Sequence, residues 1–372
     1  MNSTICIFED PQYTKLLPLA YTRPVYDLRC GIMTLREKLA RAYPTAVSAL
    51  LCRPYLAEIV KQQNPGVAVE ELHAASALLI NGRVLADEQF ARKIPLEGEE
   101  AIYLSGDTVV AVRIRSTTRT SVGHDLSEAM DPDHFGKLPR IPVDVPLIEY
   151  PWDLVNRNGE EVVRDFGQLM ERKKKLIRGK VHGGAHLINK KDIFIGEGAV
   201  VKPGVVLDAE EGPIYIGRNV VIMPNAVIEG PAFIGDGTLI KAGAKIYGNT
   251  SLGEGCKVGG EVEASIIHSY SNKQHDGFLG HSYIGMWCNL GADTNTSDLK
   301  NNYSSIRVFI NGREVDSASM FVGLFMGDHS KSGINTMFNS GTVVGVSCNI
   351  FGAGFPPKYI PSFAWGGAEG LD

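Results

Sequence analysis

The sequence predicts two domains in series: an α/β domain in the first half and a parallel β-helix of six-residue repeats in the second. Three observations carry this reading. Aliphatic residues recur at every sixth position after residue 195. Glycine, 41 of the 372 residues, is concentrated over the same stretch. Before residue 160, strand-like and helix-like patterns alternate, as an α/β sheet requires. A length of 372 residues gives room for two domains.

The repeat decides the second half. From Ile195 the step of six passes through Val201 and Leu207. After an insertion at 211–213 it resumes at Ile216, Ile222, Ile228, Ile234, Ile240, Ile246, Leu252 and Val258. Neither the helical period of 3.6 nor the strand period of 2 gives this spacing. A coil with three flat six-residue faces does: each face places one aliphatic side chain in a shared core, and each coil buries its neighbour's face. Gly217, Gly235, Gly253 and Gly259 directly follow core positions and are expected to give the backbone freedom for the corners. The period returns at Ile284 and Leu290, then at Phe338, Val344 and Ile350. It is interrupted over 265–283 and 295–333, two segments rich in His, Asn, Lys and Asp. Such interruptions are expected to emerge as loops at one edge of the solenoid, over a binding site.

In the first half, residues 4–8, 76–80 and 109–114 read as buried strands. Ile32, Leu35, Leu39 and Tyr43 predict an amphipathic helix over 32–43. Pro and Asp cluster at 131–146, which predicts a loop. A joining helix is expected over 160–178, with Val163, Phe166, Met170 and Ile177 on one side and a solvated RKKK run at 172–175. The expected division is an α/β domain over 1–160, a linker helix over 161–180, the β-helix over 181–355 and a tail over 356–372.

The net charge of −5 provides no global basic field for nucleic acid or anionic lipid, so any phosphate site is local. The six cysteines are scattered without zinc-knuckle or redox spacing, which predicts reduced thiols in a cytoplasmic protein. The opening MNSTICIFEDPQ lacks the pattern of a signal peptide, and no run reaches the ~18 apolar residues of a membrane span. No HxH or HxxxH pair supports zinc in the histidine-rich stretch.

The segment HDGFLGHSYIGMWCNLGADTNTSDLKNN, 275–302, resembles the acetyltransferase half of the bifunctional N-acetylglucosamine-1-phosphate uridyltransferase and glucosamine-1-phosphate N-acetyltransferase family. The resemblance implies a left-handed β-helix, a homotrimer with active sites between subunits, and acetyl-CoA as cofactor. It places the general base on His275, with His281 as rival. Asn289 and Ala292 fall on positions that bind the sugar and the coenzyme. Asp298 stands where the family has a loop Asn, and Lys300 falls in the substrate loop. The segment GDHSKSGIN, 327–335, resembles a coil edge that packs on the coenzyme. The chemistry agrees. An amine attacking a thioester must lose a proton, and neutral imidazole accepts one at pH 7. Backbone N–H groups or an Asn amide would steady the developing oxyanion. Lys245 and Lys300 are candidate partners for a sugar phosphate, and Lys331 and Lys358 for the coenzyme phosphates. His268 and His329 are expected to be structural or substrate-adjacent.

The segment LLPLAYTRPVYDLRCGIMTLREK, 16–38, resembles the N-terminal signature of sugar-phosphate nucleotidyltransferases, an α/β Rossmann-like fold. Arg23 and Arg29 would then bind a triphosphate or a sugar phosphate. PWDLVNRNG, 151–159, resembles the segment that closes the sugar site in those enzymes. Two departures stand out. FEDPQYTK, 8–15, replaces the glycine-rich loop that cradles phosphate. Arg83 stands at the metal-binding Asp, with Asp107 an alternative ligand. Mg2+ is expected only if this domain is active. Three readings follow. One is acetyl transfer to an amino-sugar 1-phosphate, with or without nucleotidyl transfer from UTP or another NTP, in nucleotide-sugar synthesis. Another is a nucleotidyltransferase whose β-helix only trimerises or regulates. The last is a non-catalytic sugar-nucleotide-binding scaffold.

Overall fold

A computed structural model of the chain describes residues 4–70, 76–115, 137–171, 173 and 175–372. The chain divides into two compact units. The first comprises Met1–Leu16, Thr22–Leu28 and Met33–Glu149, and the second Leu17–Tyr21, Arg29–Ile32 and Tyr150–Asp372.

The first unit is built on a seven-stranded sheet. Its order is Ala68–Val69, Val47–Leu50, Thr4–Phe8, Ser76–Asn81, Thr108–Arg115, Ala101–Ser105 and Arg140–Pro142. The first four strands run parallel, and Thr108–Arg115 is antiparallel to both neighbours. Thr4–Phe8 is buried on both faces, which explains its unbroken apolar run: Ile5 and Ile7 enter one core, Cys6 and Phe8 the other. The helix predicted over 32–43 spans Leu35–Ala42. It starts late because Thr34 caps it, accepting from the Glu37 N–H while the Glu37 carboxylate accepts from the Thr34 N–H. Tyr43 remains buried beyond its end, donating to the Ile94 carbonyl at 2.6 Å. In the predicted loop at 131–146, Arg140–Pro142 forms an edge strand, and 131–136 lies outside the described residues.

The joining helix spans Pro151–Met170, starting nine residues before the predicted 160. Proline suits a first helical turn, and Asp153 accepts from the Tyr150 N–H. Ile177 lies beyond the helix, bridged to Ile195. Hence the whole helix belongs to the second unit, and the expected break at 160 falls inside it. Its polar side chains hold the crossing segment: Asn158 accepts from Gly31 and Asp165 from Ile32. Within the RKKK run, Lys173 is half-buried: its Nζ lies 4.2 Å from the centroid of the Phe194 ring, and burial lowers its pKa.

The rest of the second unit is a parallel β-helix. Its first face stacks Lys180–Val181, Val200–Val201, Val221–Ile222, Leu239–Ile240, Lys257–Val258 and Asn272–Lys273. The second runs from His186–Ile188 to Phe278–Gly280, and the third from Ile193–Ile195 to Tyr359–Ile360. Ile216 pairs with Ile234 and Ile234 with Leu252, so a regular coil takes 18 residues, 216 to 234 to 252. Every aliphatic position of the predicted six-residue period is buried, from Ile195 to Ile350. Full burial of such a side chain stabilises by about 1.5–3 kcal/mol, before conformational entropy is subtracted.

Three expectations about this domain change. The glycines that directly follow core positions do not supply turn freedom; coil-to-coil approach requires them. A Cβ on Gly253 would lie 1.6 Å from the His268 carbonyl oxygen of the next coil. The left-handed backbone falls two residues later, as at Asn219 and Gly237. The segment 265–283 is not a loop but a regular coil, with Ile267 on Leu252, Lys273 on Val258 and Leu279 on Val262. The step of six persists at 267, 273 and 279, but shortened corners shift its frame and a lysine fills one core slot. The segment 295–333 does carry an excursion, the antiparallel hairpin Arg307–Ile310 with Arg313–Asp316. The coil resumes at Leu324–Met326, so 327–333 is regular wall. Residues 356–372 are not a separate tail: Tyr359–Ile360 and Trp365–Gly367 extend two faces of the last coil.

Among the described residues no helix is long and apolar enough to cross a membrane. The six cysteines are buried thiols, and no disulfide occurs among the described residues.

Candidate active site

The corner between the first and second faces concentrates the chemistry. Between Ile240 and Ile246 it takes six residues, and again between Lys273 and Leu279. Between Val258 and Val262 it takes four. The short corner leaves a groove of about 450 Å3, lined by Met223, Lys241, Ala242, Gly260, Gln274, His275, Asp276, Ala292 and Asp293. His275 and Ala292 are each the second residue after a core position, Lys273 and Leu290, and so stack in neighbouring coils. His275 is exposed at this rim. Gly260 adopts a φ of +68, and a Cβ there would lie 2.7 Å from the His275 carbonyl oxygen. Glycine is required for the two coils to approach this closely.

Below the rim, Lys273 is buried. Its Nζ donates to the carbonyls of Gly259 at 3.1 Å and His275 at 3.0 Å. Burial lowers its pKa to about 8, against the opposing pull of Asp276, Asp293 and Glu261. Asn289 sits on the outward side of the first face, bridged to Asn272 on one side and Lys331 on the other. Lys331 is exposed, its Nζ donating to the His329 carbonyl at 3.1 Å. Asn289, Lys331 and Ala292 therefore form one strip leading to the His275 corner.

The remaining candidates lie elsewhere. Lys245 is on the second face, ion-paired with Glu261 at 3.3 Å. His281 and Asp298 meet at the corner between the second and third faces, Nδ1 to Oδ2 at 2.8 Å, and the His281 ring stacks on Phe321 at 5.0 Å. A carboxylate oxygen only accepts, so in this pairing Nδ1 is the donor. Lys300 donates from Nζ to the Ser305 carbonyl at 2.6 Å, inside the excursion. Lys358 shares this environment: burial lowers its pKa, and the Lys300 charge lowers it further. His268 is buried beside Ser269 and Tyr283. His329 stacks on Trp287.

The first unit has a cavity of about 440 Å3, lined by Glu9, Asp10, Pro11, Tyr13, Leu51, Cys52, Arg53, Pro54 and Tyr55. It opens where the parallel strands Thr4–Phe8 and Val47–Leu50 end, the usual ligand position in such sheets. Its charges are already paired. Arg53 donates from Nε and Nη2 to Glu9 at 3.0 and 3.2 Å, and its Cζ lies 4.2 Å from the Tyr13 ring centroid. Burial pushes the Glu9 carboxyl up despite this arginine. Arg83 donates from Nε and Nη2 to Asp10 at 2.9 and 2.6 Å, and from Nη1 to the Ile148 carbonyl. Asp107 is a turn residue between the hairpin strands Ala101–Ser105 and Thr108–Arg115. No group of three or more His, Cys, Asp or Glu suited to a metal occurs among the described residues. Carboxylates held by guanidiniums are a poor donor set for Mg2+, and the residues present do not fit that ion.

Residues 5–174 match the sugar nucleotidyl transferase family. The chain is 38% identical over 90 residues to the bifunctional protein GlmU of Methanocaldococcus jannaschii, a match covering 24% of this chain and 22% of the relative. It is 32% identical over 204 residues to the bifunctional GlmU of Methanococcus aeolicus, covering 52% of this chain and 40% of the relative. The chain is thus similar, over part of its length, to bifunctional GlmU proteins. A bifunctional sugar-1-phosphate nucleotidylyltransferase/acetyltransferase of Sulfurisphaera tokodaii is 30% identical over 97 residues, covering 26% of this chain and 24% of the relative. These matches span between about a fifth and two fifths of the relatives' own length.

The structure gathers His275, Ala292, Asn289 and Lys331 at one corner and along one face. It does not bring Lys245, Asp298, Lys300 or Lys358 to that groove. Asp298 is committed to His281, and Lys245 to Glu261. Arg29 is buried, with both Glu254 oxygens at 3.0 Å from Nη2 and a further bond from Nη1 to the Ile32 carbonyl. Burial pushes the Glu254 carboxyl up, but Arg29 and Ser269 hold it below its usual value. Arg29 is thus part of the packing on the β-helix, not a phosphate ligand. Arg23 is buried near Asp27, its carbonyl accepting from Arg53 at 2.7 Å. It is not among the described cavity lining. The PWDLVNRNG segment lies in the joining helix, where Asn158 donates to the Asn249 carbonyl. Sequence reasoning missed Lys241, Gly260, Asp276, Asp293 and Lys273. The signal was present in the step of six, which runs through 267, 273 and 279 once a lysine is admitted to a core slot.

Proposed function

We propose that the β-helix transfers an acetyl group from acetyl-CoA to the amino group of an amino-sugar 1-phosphate, glucosamine 1-phosphate being the expected acceptor. The observation that carries this reading is the exposed His275 at the rim of the shortened corner, stacked one coil from Ala292, in a GlmU-like chain. His275 takes the proton that the attacking amine releases as the new C–N bond forms. Backbone N–H groups of the neighbouring glycine-rich corner are the candidate donors to the developing oxyanion. The thioester carbon–sulfur bond breaks, and the sulfur departs as the thiol after taking a proton. Bound acetyl-CoA supplies the activated acyl group. Asn289 and Lys331 line the strip beside the corner, where an amide and an ammonium suit a polar, phosphate-bearing ligand. Lys241 is the cation at the groove itself and suits the sugar phosphate better than the ion-paired Lys245.

The test is acetyl-CoA turnover, read as thiol release, against a panel of amino-sugar phosphates. Absence of thiol release with every acceptor would sink the reading. A homotrimer with the groove completed by a neighbouring subunit belongs to the same proposal, and light scattering of the purified protein checks it.

A second reading, nucleotidyl transfer by the first unit, is favoured by the family match over residues 5–174. Against it stand the ion pairs of Glu9 with Arg53 and of Asp10 with Arg83. Release of pyrophosphate from UTP and a sugar 1-phosphate would support it.

A further inference from the structure

The core slot that Lys273 fills is aliphatic in the preceding coils of the same face, at Val201, Ile222, Ile240 and Val258. Lys273 pairs in register with Val258 and is only 1% exposed. Burying an ammonium among aliphatic side chains is unfavourable unless its protons find acceptors. The methylene stem takes the place of the missing aliphatic side chain, and the head turns to the corner. There it donates to the Gly259 carbonyl in one coil and to the His275 carbonyl in the next. Gly260 leaves the room: a Cβ on it would lie 2.7 Å from Nζ. One ammonium therefore ties two adjacent corners together, at the place where one corner is two residues short.

We propose that Lys273 is a positioning residue, which tethers the His275 turn to the neighbouring coil and so holds the imidazole over the groove. This rests on His275 acting as the base. The shortened corner meets 274–277 through its backbone: a Cβ on Gly259 would lie 2.4 Å from the Gln274 carbonyl oxygen, and the Glu261 N–H donates to the Gly277 carbonyl at 3.2 Å. The tether adds a side-chain hold on the His275 turn to that backbone contact. A methionine would fill the same slot and lose only the tether.

The experiment uses the full chain with Lys273→Met. kcat for acetyl transfer is expected to fall by ~10–100-fold, the effect of displacing a catalytic group by about 1 Å. KM for acetyl-CoA stays within about twofold, as for a group that acts on the chemical step. The thermal midpoint stays level or rises, because a buried charge has been removed. Deuterium uptake at residues 274–277 increases. Wild-type kcat, or unchanged uptake at 274–277, overturns the proposal. A fall in kcat that merely follows a lowered thermal midpoint also overturns it, since that marks a structural role. Should the methionine variant not fold, Lys273→Gln carries the same expectations and the same overturning results. Deuterium uptake needs no turnover, so the tether is testable even if the acetyl-transfer reading fails. Conversely, wild-type turnover by His275→Ala removes the base assignment whatever the uptake shows.

Discussion

Two cavities of nearly equal size occur in this chain, about 440 Å3 in the first unit and about 450 Å3 on the β-helix, and they are opposite in character. In the first, the charged groups face one another: Glu9 with Arg53, and Asp10 with Arg83 just behind. In the second, the exposed imidazole of His275 shares a groove with Lys241, Asp276 and Asp293, over the Gly260 corner. A site can keep its position at the strand ends while its charges are satisfied internally. The strand ends of the first unit still open on a cavity, but an arginine at position 83 supplies internally the positive charge that a metal would bring.

The comparison breaks first at His275. Its replacement by alanine is expected to cut acetyl transfer by ~10²–10⁴, the range for a positioned general base. Thiol release from acetyl-CoA measures it, and wild-type turnover would remove the contrast between the cavities. The next effect lies in the first unit. Arg83→Met leaves Asp10 buried beside an apolar side chain, and about 3–5 kcal/mol of stability is expected to be lost. Denaturant unfolding gives the value. If Asp10→Asn added to Arg83→Met recovers none of it, the ion pair is not the cause.

A smaller effect sharpens the second cavity. Lys273 has its pKa lowered by burial to about 8 in the folded chain, against 10.5 for an ordinary lysine. Between those pH values the unfolded chain binds the proton and the folded chain does not, so stability gains with rising pH. Relative to Lys273→Met, the wild type is expected to gain about 1.4 kcal/mol per pH unit across that window. Unfolding of both proteins at pH 7, 9 and 10.5 checks the slope, and parallel curves would contradict it. The smallest effect belongs to Lys245. Its pair with Glu261 is exposed, so Lys245→Ala is expected to change stability by less than about 1 kcal/mol. Its acetyl transfer should match wild type, and a large loss there would return Lys245 to the active site.

Much of the β-helix was legible in advance because its signal is local and periodic. One aliphatic residue every sixth position is a property of the chain itself, and Ile195 to Val258 all reach the core. The coil at 265–283 was not legible as wall. Its corners are shortened and Lys273 stands where an aliphatic residue is expected, so hydrophobicity alone loses the frame. The helix start at Pro151 was hidden for a similar reason: Trp152, Val155 and Asn158 bury a mixed face, and the apolar stripe that drew attention begins later. Motif resemblance put His275 and Ala292 in the site, and the coil register placed them in one column.

Residue spacing by itself determined that the second half winds into a three-faced solenoid and that the first half is a sheet with helices. Only the tertiary structure decided which charges are available. Arg29, Asp298 and Lys245 read as binding groups in the sequence, yet each is held by a partner 225, 17 or 16 residues away; Arg83, which stands at the expected metal position, is held by Asp10 from 73 residues away. Charge pairing depends on which coils and strands come to lie side by side, and a linear sequence does not state that.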